Sequence, residues 1–311
     1  MNIKFFAIAF LLLVAIAPLT AQTNNSLSIP VSLQPSFLFQ PLGTREDFAL
    51  QNALRQKINE NPKWKALAKQ DKLAVGLVDL SDPYNVKYAQ VNGRTMMYAA
   101  SLPKIGVLLA ATDALEKGEL PESKEVLADM RLMIAKSNNQ ATTRLIDRLG
   151  YKKIASVMED HRYNLYNVEL GGGIWVGKRY AATGPRNPDP LKGLSHAATV
   201  EQVCRFYYLM AFGKLVSRDR SLQMMEIMAN PELHHKFVNT LDKVAPNATV
   251  FRKSGSWKNF HSDSAMVFGT GWRKYILVAL VEDPEGEQLM REMVIIAEEV
   301  LKENQPLALK N

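Results

Sequence analysis

Residues 98–120 read YAASLPKIGVLLAATDALEKGEL, in which a long apolar run follows a short polar turn. The run from 101 to 117 is typical of an apolar helix, and Gly118 predicts its end because glycine is common just past helix termini. Ser101 and Lys104 stand three positions apart, so on a helix they share one face. Ser101, at the predicted helix start, also lies near the positive end of the helix dipole.

Strand patterns occur on both sides of this helix. Residues 72–80 (KLAVGLVDL) and 86–91 predict a hairpin across the turn at Ser81-Asp82-Pro83. After the helix, the predicted strands are 249–254, 264–268 and 275–282, the last two joined by a glycine-rich turn. We therefore expect both ends of the chain to supply strands to one antiparallel sheet.

Helical patterns fill the remaining sequence. They are a segment from Arg45, residues 123–148 with a polar interruption at 136–140, a helix opened by Thr199-Val-Glu-Gln202 and ending at Phe212, further helix to about Val244, and an amphipathic helix at 285–304. Three glycines and then three prolines predict a long loop at 171–194. The order predicts an α+β fold: an antiparallel sheet flanked by N- and C-terminal helices, with an all-α subdomain inserted at roughly 101–245.

Composition excludes several classes of protein. The 311 residues are 47% hydrophobic and 22% charged, a globular balance that argues against a disordered, collagen-like or coiled-coil chain. The net charge of +7 comes from scattered Lys and Arg, so we expect no nucleic-acid partner. The single cysteine, Cys204, allows neither an intrachain disulfide nor a cysteine-based zinc site, and the five histidines show no ligand spacing. No metal and no cofactor is expected.

The N-terminal segment predicts export. Lys4 precedes an unbroken apolar stretch at 5–17, and small residues lead to Ala21. This pattern is typical of a secretory signal peptide at 1–21, and the alternative is an uncleaved membrane anchor. After cleavage no membrane span remains, so we expect a periplasmic or secreted protein. Residues 22–44 predict a linker, 45–304 one folded domain, and 305–311 a tail.

The pair Ser101 and Lys104 is the first of three short motifs. A serine becomes a nucleophile when a neighbouring base accepts its proton, and a lysine partly removed from water has a lowered pKa that suits it for this role. Pro103 is tolerated in a first helical turn. Alone, the pattern fits an ordinary helix start followed by a solvated lysine equally well.

The second and third motifs are Ser137-Asn138-Asn139 and Lys253-Ser254-Gly255. The first lies in the polar interruption, where a hydroxyl could relay a proton and an amide could bind a carbonyl, although a simple connecting turn favours the same residues. In the second, Lys253 and Ser254 offer a cation and a hydroxyl for a carboxylate, and Gly255 allows close approach of a backbone. An ordinary surface strand is the alternative there.

The three motifs together carry more weight than each alone. They occur in the order S-x-x-K, S-x-N and K-S-G, on a helix start, a helix junction and a strand. In this order the chain resembles the penicillin-recognising serine enzymes, most closely the class A β-lactamases. The stretches YAASLPKIGVLLAATDALEKGEL and KSNNQATTRLIDRLG support the resemblance, which covers roughly residues 45–303.

The resemblance implies the roles of the catalytic residues. Ser101 would attack an amide carbonyl and become acylated, and Lys104 would take or shuttle its proton. Ser137 would relay a proton to the leaving nitrogen. We expect the Ser101 hydroxyl to touch the amines of both Lys104 and Lys253 within one crevice.

The resemblance also implies the substrate-binding residues. Asn139 would hold a side-chain amide of the substrate, while Lys253 and Ser254 would bind its carboxylate on the strand that Gly255 keeps accessible. The backbone N–H groups of Ser101 and Ser256 would form the oxyanion hole. The implied substrate is a small-molecule β-lactam or a peptidoglycan-type amide.

Two departures from the family pattern concern deacylation. Class A enzymes carry a Glu-x-x-Leu-Asn signature whose glutamate activates the deacylating water, whereas this chain has YNVELGGGIWVGKRY, with Glu169 the only acid. Only 36 residues separate Ser101 from Ser137, which predicts a more open cleft. Glu169 is the one candidate for the deacylating base, and we expect deacylation to be slow.

Three functions remain open from the sequence. The leading one is an exported serine hydrolase that forms an acyl-enzyme with β-lactams or related amides. The second is a D-Ala-D-Ala peptidase, penicillin-binding protein or other envelope amidase or esterase. The third is a non-catalytic envelope binding module, which the intact Ser101, Lys104, Ser137 and Lys253 argue against.

Overall fold

The computed structural model describes residues 39–305. The predicted signal peptide, most of the predicted linker and most of the predicted tail lie outside the described residues. Within 39–305 the helices are α1 (Phe48–Glu60), α2 (Pro62–Lys69), α3 (Lys104–Glu116), α4 (Lys124–Ala135), α5 (Asn139–Leu149), α6 (Tyr151–Glu159), α7 (Val200–Ala211), α8 (Arg218–Met228), α9 (Phe237–Val244) and α10 (Gly286–Glu303).

The strands of the same residues fall into one large and two small sheets. They are β1 (Leu73–Asp79), β2 (Lys87–Val91), β3 (Met97–Tyr98), β4 (Tyr166–Asn167), β5 (Gly172–Gly173), β6 (Trp175–Val176), β7 (His196–Ala198), β8 (Thr249–Trp257), β9 (Phe260–Phe268) and β10 (Lys274–Glu282). The large sheet has the order β2-β1-β10-β9-β8, and every neighbouring pair is antiparallel. Because β1 pairs with β10, the two ends of the chain meet in one sheet, and the predicted α+β fold is confirmed.

The sheet separates two apolar clusters. Along β1, Ala74 and Val78 face a cluster built with α3 and α7, while Val75 and Leu77 face a second cluster built with α1 and α10. This alternation follows from the period of two along a strand. Every residue of α3 from Lys104 to Leu115 is buried, so this helix forms the centre of the helical region.

The polar interruption predicted at 136–140 corresponds to a sharp break between α4 and α5. Ser137 has a φ of 54°, in the left-handed region that ends a helix, and the side chain of Asn138 accepts a hydrogen bond from the N–H of Ala141. An asparagine cap of this kind satisfies a backbone donor at a helix start. The break therefore holds Ser137 in a fixed orientation.

Several boundaries differ from the sequence predictions. The helix expected from 101 begins at Lys104, because the chain turns at 100–103 before it becomes helical. β8 and β9 are longer than predicted and meet in a two-residue turn, where Lys258 has a φ of 51°. That turn contains no glycine, so it lacks the strongest short-range signal of a hairpin. The loop predicted at 171–194 contains the short strands β5 and β6.

Residues before Arg45, the predicted start of the folded domain, also pack against the core. Phe39 packs against the rings of Tyr208 and Phe212, and Leu42 is buried in the core. Within 39–305, none of the helices has the length and apolar character needed to cross a membrane.

Gly76 in β1 provides a test of the packing between the sheet and α7. A Cβ at this position would lie 2.6 Å from the sulfur of Cys204 on α7. We predict that Gly76→Val lowers the free energy of unfolding by about 1–3 kcal/mol, the usual cost of overpacking a core.

Chemical denaturation monitored by circular dichroism measures this change. The matched control is Gly43→Val, because a Cβ at position 43 meets nothing within 4 Å. Equal stability of the two variants would contradict the described packing of α7 on β1.

Candidate active site

A cleft of about 890 Å³ opens beside the edge strand β8. Ser101, Asn139 and Ser256 all line it, so residues of the turn before α3, the start of α5 and the end of β8 face one space. The three motif segments, far apart in sequence, therefore converge in the structure.

The turn that carries Ser101 is fixed by contacts on both sides. Ala100 has a φ of 50°, which is unfavourable for a residue with a Cβ. The carbonyl of Ala99 accepts a 2.8 Å hydrogen bond from the Ser262 hydroxyl, and that of Ala100 accepts one of 3.2 Å from the Tyr180 hydroxyl. Such strain persists only where the surroundings hold it, and it clusters at functional sites.

Gly255 allows β8 to lie directly against this turn. A Cβ at position 255 would stand 2.5 Å from the carbonyl oxygen of Ala99 and 2.5 Å from the backbone nitrogen of Ser101. No side chain fits in that gap. The absence of one brings the backbone of β8 next to the backbone of Ser101.

Lys104 reaches from the buried start of α3 to the break between α4 and α5. Its Nζ lies 2.6 Å from the carbonyl oxygen of Ser137, 2.7 Å from Oδ1 of Asn139 and 3.3 Å from Oγ of Ser137. The ring of Tyr180 lies 4.4 Å from the same Nζ. If the amine is neutral, its two N–H groups satisfy the two shorter contacts and its lone pair is left for a hydroxyl proton.

Lys253 approaches Ser137 from the opposite side. Its Nζ donates to the Ser137 hydroxyl at 2.9 Å and to the carbonyl of Ser254 at 2.6 Å. The Ser137 hydroxyl thus lies between two lysine amines. The side chain of Lys253 is buried, as is that of Lys104.

Burial shifts the pKa of both lysines downward. It lowers the pKa of Lys104 to about 7. Burial also lowers the pKa of Lys253 well below its usual value, and the nearby charge of Lys104 acts in the same direction. Because burial disfavours its charged form, Lys104 can serve as a base near neutral pH.

The Ser101 hydroxyl itself is placed differently from the expectation. Both amines contact Ser137, and within residues 39–305 no hydrogen bond is formed by the hydroxyl of Ser101. The left-handed conformation of Ser137 directs its carbonyl and hydroxyl towards Lys104, which explains the difference. The backbones of the two residues are nevertheless joined by a hydrogen bond, in which the Lys104 N–H donates to the Ser101 carbonyl at 3.3 Å.

The substrate-binding residues expected on β8 divide between the cleft and the interior. Ser256 is exposed and lines the cleft, whereas Ser254 is buried and does not line it. Lys253 is directed to Ser137 instead of to the open space. The carboxylate site expected from Lys253 and Ser254 is therefore not an open pocket, and the cleft cations are Lys178, Arg179 and Lys258.

An aromatic wall of the cleft has no counterpart in the sequence predictions. Tyr98, Tyr180 and His196 meet there, with the ring of Tyr180 centred 4.2 Å from that of His196. The small sheet β3-β7-β6 brings them together by pairing Tyr98 with Ala197. Tyr98 and Tyr180 lie at the ends of stretches quoted above, but neither belongs to one of the three motifs, and nothing in the sequence shows that they meet His196. Trp257 and Phe260 extend the wall on the β8–β9 side.

His196 is held as a neutral imidazole. Burial lowers the pKa of His196 to about 4. Nε2 lies 3.0 Å from the carbonyl oxygen of Lys178 and must donate there, which leaves Nδ1 to accept from the Ser195 hydroxyl at 3.2 Å. Between pH 5 and 8 this side chain adds no charge to the cleft.

Glu169 does not belong to the cleft. It is exposed in a short 3₁₀ turn at Val168–Leu170 and is not among the residues that line the cleft. The role of Glu169 as a base for deacylation stays a prediction. None of the described residues that line the cleft is Asp or Glu.

Residues 39–305 do not contain a group of three or more His, Cys, Asp or Glu side chains that could hold a metal ion.

Comparison with known families gives one match. Residues 126–303, more than half of the chain, match the model of the β-lactamase enzyme family. No curated protein sequence matches the chain significantly.

Solved structures share the fold at low sequence identity. A β-lactamase from Sphaerobacter thermophilus is 15% identical, with a TM-score of 0.63, over 82% of this chain and 98% of that one. A variant of PBP-A, in an acyl-enzyme complex with penicillin G, is 21% identical, with a TM-score of 0.62, over 85% and 100% of the two chains. A β-lactamase from Chitinophaga pinensis is 17% identical, with a TM-score of 0.62, over 81% and 99%. At these identities the likeness shows the fold.

The environment of Lys104 predicts an unusual titration. In protein with ¹³C-labelled lysine, we expect one Cε resonance to titrate with a midpoint of about pH 7, because burial disfavours the charged amine. The resonance should be missing from Lys104→Met, which assigns it. A midpoint above pH 10 for Lys104 would show that the amine is charged at neutral pH and cannot be the base.

Proposed function

The chain belongs to the β-lactamase enzyme family, and from this premise we propose that it is an exported serine hydrolase that forms an acyl-enzyme with β-lactams or related amides. The observation that carries the proposal is the Ser137 hydroxyl between the amines of Lys104 and Lys253, beside a cleft lined by Ser101. The apolar run at 5–17 behind Lys4 supports export to the periplasm or the medium.

Acylation begins with proton transfer from Ser101. Neutral Lys104 takes the hydroxyl proton, directly or through Ser137, and Ser101 Oγ attacks the amide carbonyl. The negative charge that develops on the carbonyl oxygen is stabilised by the N–H groups of Ser101 and Ser256, whose backbones Gly255 holds close together. Ser137 then passes a proton to the leaving nitrogen, and an ester to Ser101 remains.

The charge of the cleft favours an anionic substrate. Lys178, Arg179 and Lys258 line it, and none of its described lining residues is acidic. A carboxylate on the substrate would be attracted by these side chains. β-Lactams and peptides that end in D-alanine both carry such a group.

The absence of an acid from the described cleft lining also bears on the fate of the acyl-enzyme. Hydrolysis of the ester needs a base that activates water, and Glu169 is exposed outside the cleft. We therefore propose slow deacylation, which makes the protein penicillin-binding more than strongly hydrolytic. The same observation favours the second candidate, a D-Ala-D-Ala peptidase or related envelope amidase, if the acyl group passes to an incoming amine, which is a stronger nucleophile than water.

Ser101→Ala tests the nucleophile. After incubation with benzylpenicillin, we expect intact-protein mass spectrometry to find one acyl group on the wild-type chain and none on the variant, because the attacking oxygen is gone. Ser195→Ala is the matched control, since Ser195 lines the same cleft and should leave labelling intact. Stoichiometric labelling of Ser101→Ala would refute the assignment.

The lifetime of the adduct tests the deacylation proposal. We expect the adduct of the wild-type protein to persist, and Glu169→Gln to leave its decay rate unchanged within about twofold, because Glu169 is exposed and is not among the residues that line the cleft. Time-resolved mass spectrometry after removal of free benzylpenicillin gives both rates. Rapid turnover, or a much longer adduct lifetime in Glu169→Gln, would contradict this part of the proposal. Absence of any adduct or product would favour a binding module.

A further inference from the structure

Lys236 is a buried cation that the proposed mechanism does not use. It immediately precedes α9 and has no exposed surface. Its ammonium donates to the carbonyl of Gly255 at 2.5 Å and to the carbonyl of Ser262 at 3.1 Å. Gly255 and Ser262 lie opposite each other on β8 and β9, directly behind the edge that faces Ser101.

The backbone around Lys236 is held in place by a buried ion pair. Lys236 has a φ of 54° and a ψ of −123°, a conformation that is costly for a residue with a Cβ. The next N–H, from Phe237, donates to Asp263 at 3.1 Å, and Asp263 is paired with Arg252 at 2.7 Å. A strained, fully buried lysine needs such support, which points to a role beyond packing.

The peptide group between Gly255 and Ser256 connects Lys236 to the cleft. Its carbonyl is the acceptor for Lys236, and its N–H is that of Ser256. The two-residue turn pairs Trp257 with Phe260 through hydrogen bonds, so the alternation of an antiparallel ladder makes Gly255–Ser262 the next hydrogen-bonded pair. The N–H of Ser256 therefore points away from β9, on the free edge of β8 beside the cleft.

We propose that Lys236 is a positioning residue for the oxyanion hole: by donating to the Gly255 carbonyl it fixes and polarises the peptide group whose N–H, at Ser256, faces the reacting oxygen. The inference rests on the proposed function. Hydrogen bonds in series strengthen one another, so a cation on the carbonyl makes the N–H of the same peptide a better donor. A donor that is oriented before the reaction needs no reorganisation in the transition state.

The charge state of Lys236 suits this role. Burial lowers its pKa to about 8, and the charge of Asp263 opposes that shift. The ammonium therefore predominates at neutral pH. Because Lys236 is buried and contacts carbonyl oxygens, it acts on the peptide and does not touch the substrate.

The amide ¹⁵N shift of Ser256 tests the polarisation without any substrate. We expect Lys236→Met to move this resonance upfield, because a carbonyl that loses a cationic donor withdraws less electron density from the following nitrogen. Thr240→Val is the matched control: it removes a 2.9 Å hydrogen bond from α9 to the Arg291 carbonyl, which lies on α10 and not on β8. If Lys236→Met does not fold, Lys236→Gln, which keeps a polar donor without the charge, should show a smaller shift of the same sign.

Acylation kinetics with benzylpenicillin test the consequence. In Lys236→Met we expect the acylation rate constant to fall roughly tenfold, less than the loss of a whole oxyanion donor, while the dissociation constant of the first complex stays within about twofold. Thr240→Val should change neither. The acyl carbonyl of the adduct, seen by infrared difference spectroscopy, should shift to higher frequency in Lys236→Met only.

The outcomes separate this inference from the proposed function. An unchanged Ser256 shift, or an unchanged acylation rate in folded Lys236→Met, would overturn the role of Lys236 and leave the acyl-enzyme proposal intact. Failure of the wild-type protein to form any adduct would overturn the proposed function, and with it the catalytic use of Lys236. The Ser256 shift would still decide whether the peptide is polarised.

Discussion

One serine hydroxyl lies between two buried lysine amines, and the chemistry of the site depends on that arrangement. Ser137 accepts from Lys253 at 2.9 Å and from Lys104 at 3.3 Å. Burial lowers the pKa of both amines, and the nearby charge of Lys104 lowers that of Lys253 further. A neutral Lys104 amine near pH 7 follows from its burial, and without a neutral base the Ser101 hydroxyl would remain an ordinary alcohol. The fold maintains the constraint by ending α4 with Ser137 in a left-handed conformation and capping α5 with Asn138.

The unfavourable free energy of burying these lysines explains which groups surround them. Burying a charged group is unfavourable unless it is paired or neutralised. Lys104 and Lys253 have backbone carbonyls, hydroxyls and an amide as partners, while Arg252 is paired with Asp263. None of the described residues that line the cleft is acidic, and burial lowers the pKa of Lys104 to about 7.

Much of the fold was predictable because its signals are local. The apolar run of β1 before the turn at 81–83, the glycine-rich turn between β9 and β10, and the amphipathic α10 each mark their own element. The three motifs likewise marked Ser101, Ser137 and Lys253. What the sequence could not show depends on contacts between distant segments. Tyr180 reaches Ala100 across 80 positions, and Lys236 lies under β8 with no motif to mark it. Glu169 was a candidate as the only acid of its stretch, and the sequence could not show that it is exposed in a short 3₁₀ turn.

The central claim is that a neutral lysine amine activates Ser101, and the pH dependence of acylation tests it most directly. With benzylpenicillin, the account predicts that the second-order acylation rate rises about tenfold per pH unit below the pKa of the base and levels off above it. That transition should lie at about pH 7, the pKa to which burial lowers Lys104. A rate that stays constant from pH 5 to pH 9 would contradict the account, since the protonation state of Lys104 would then have no bearing on the attack.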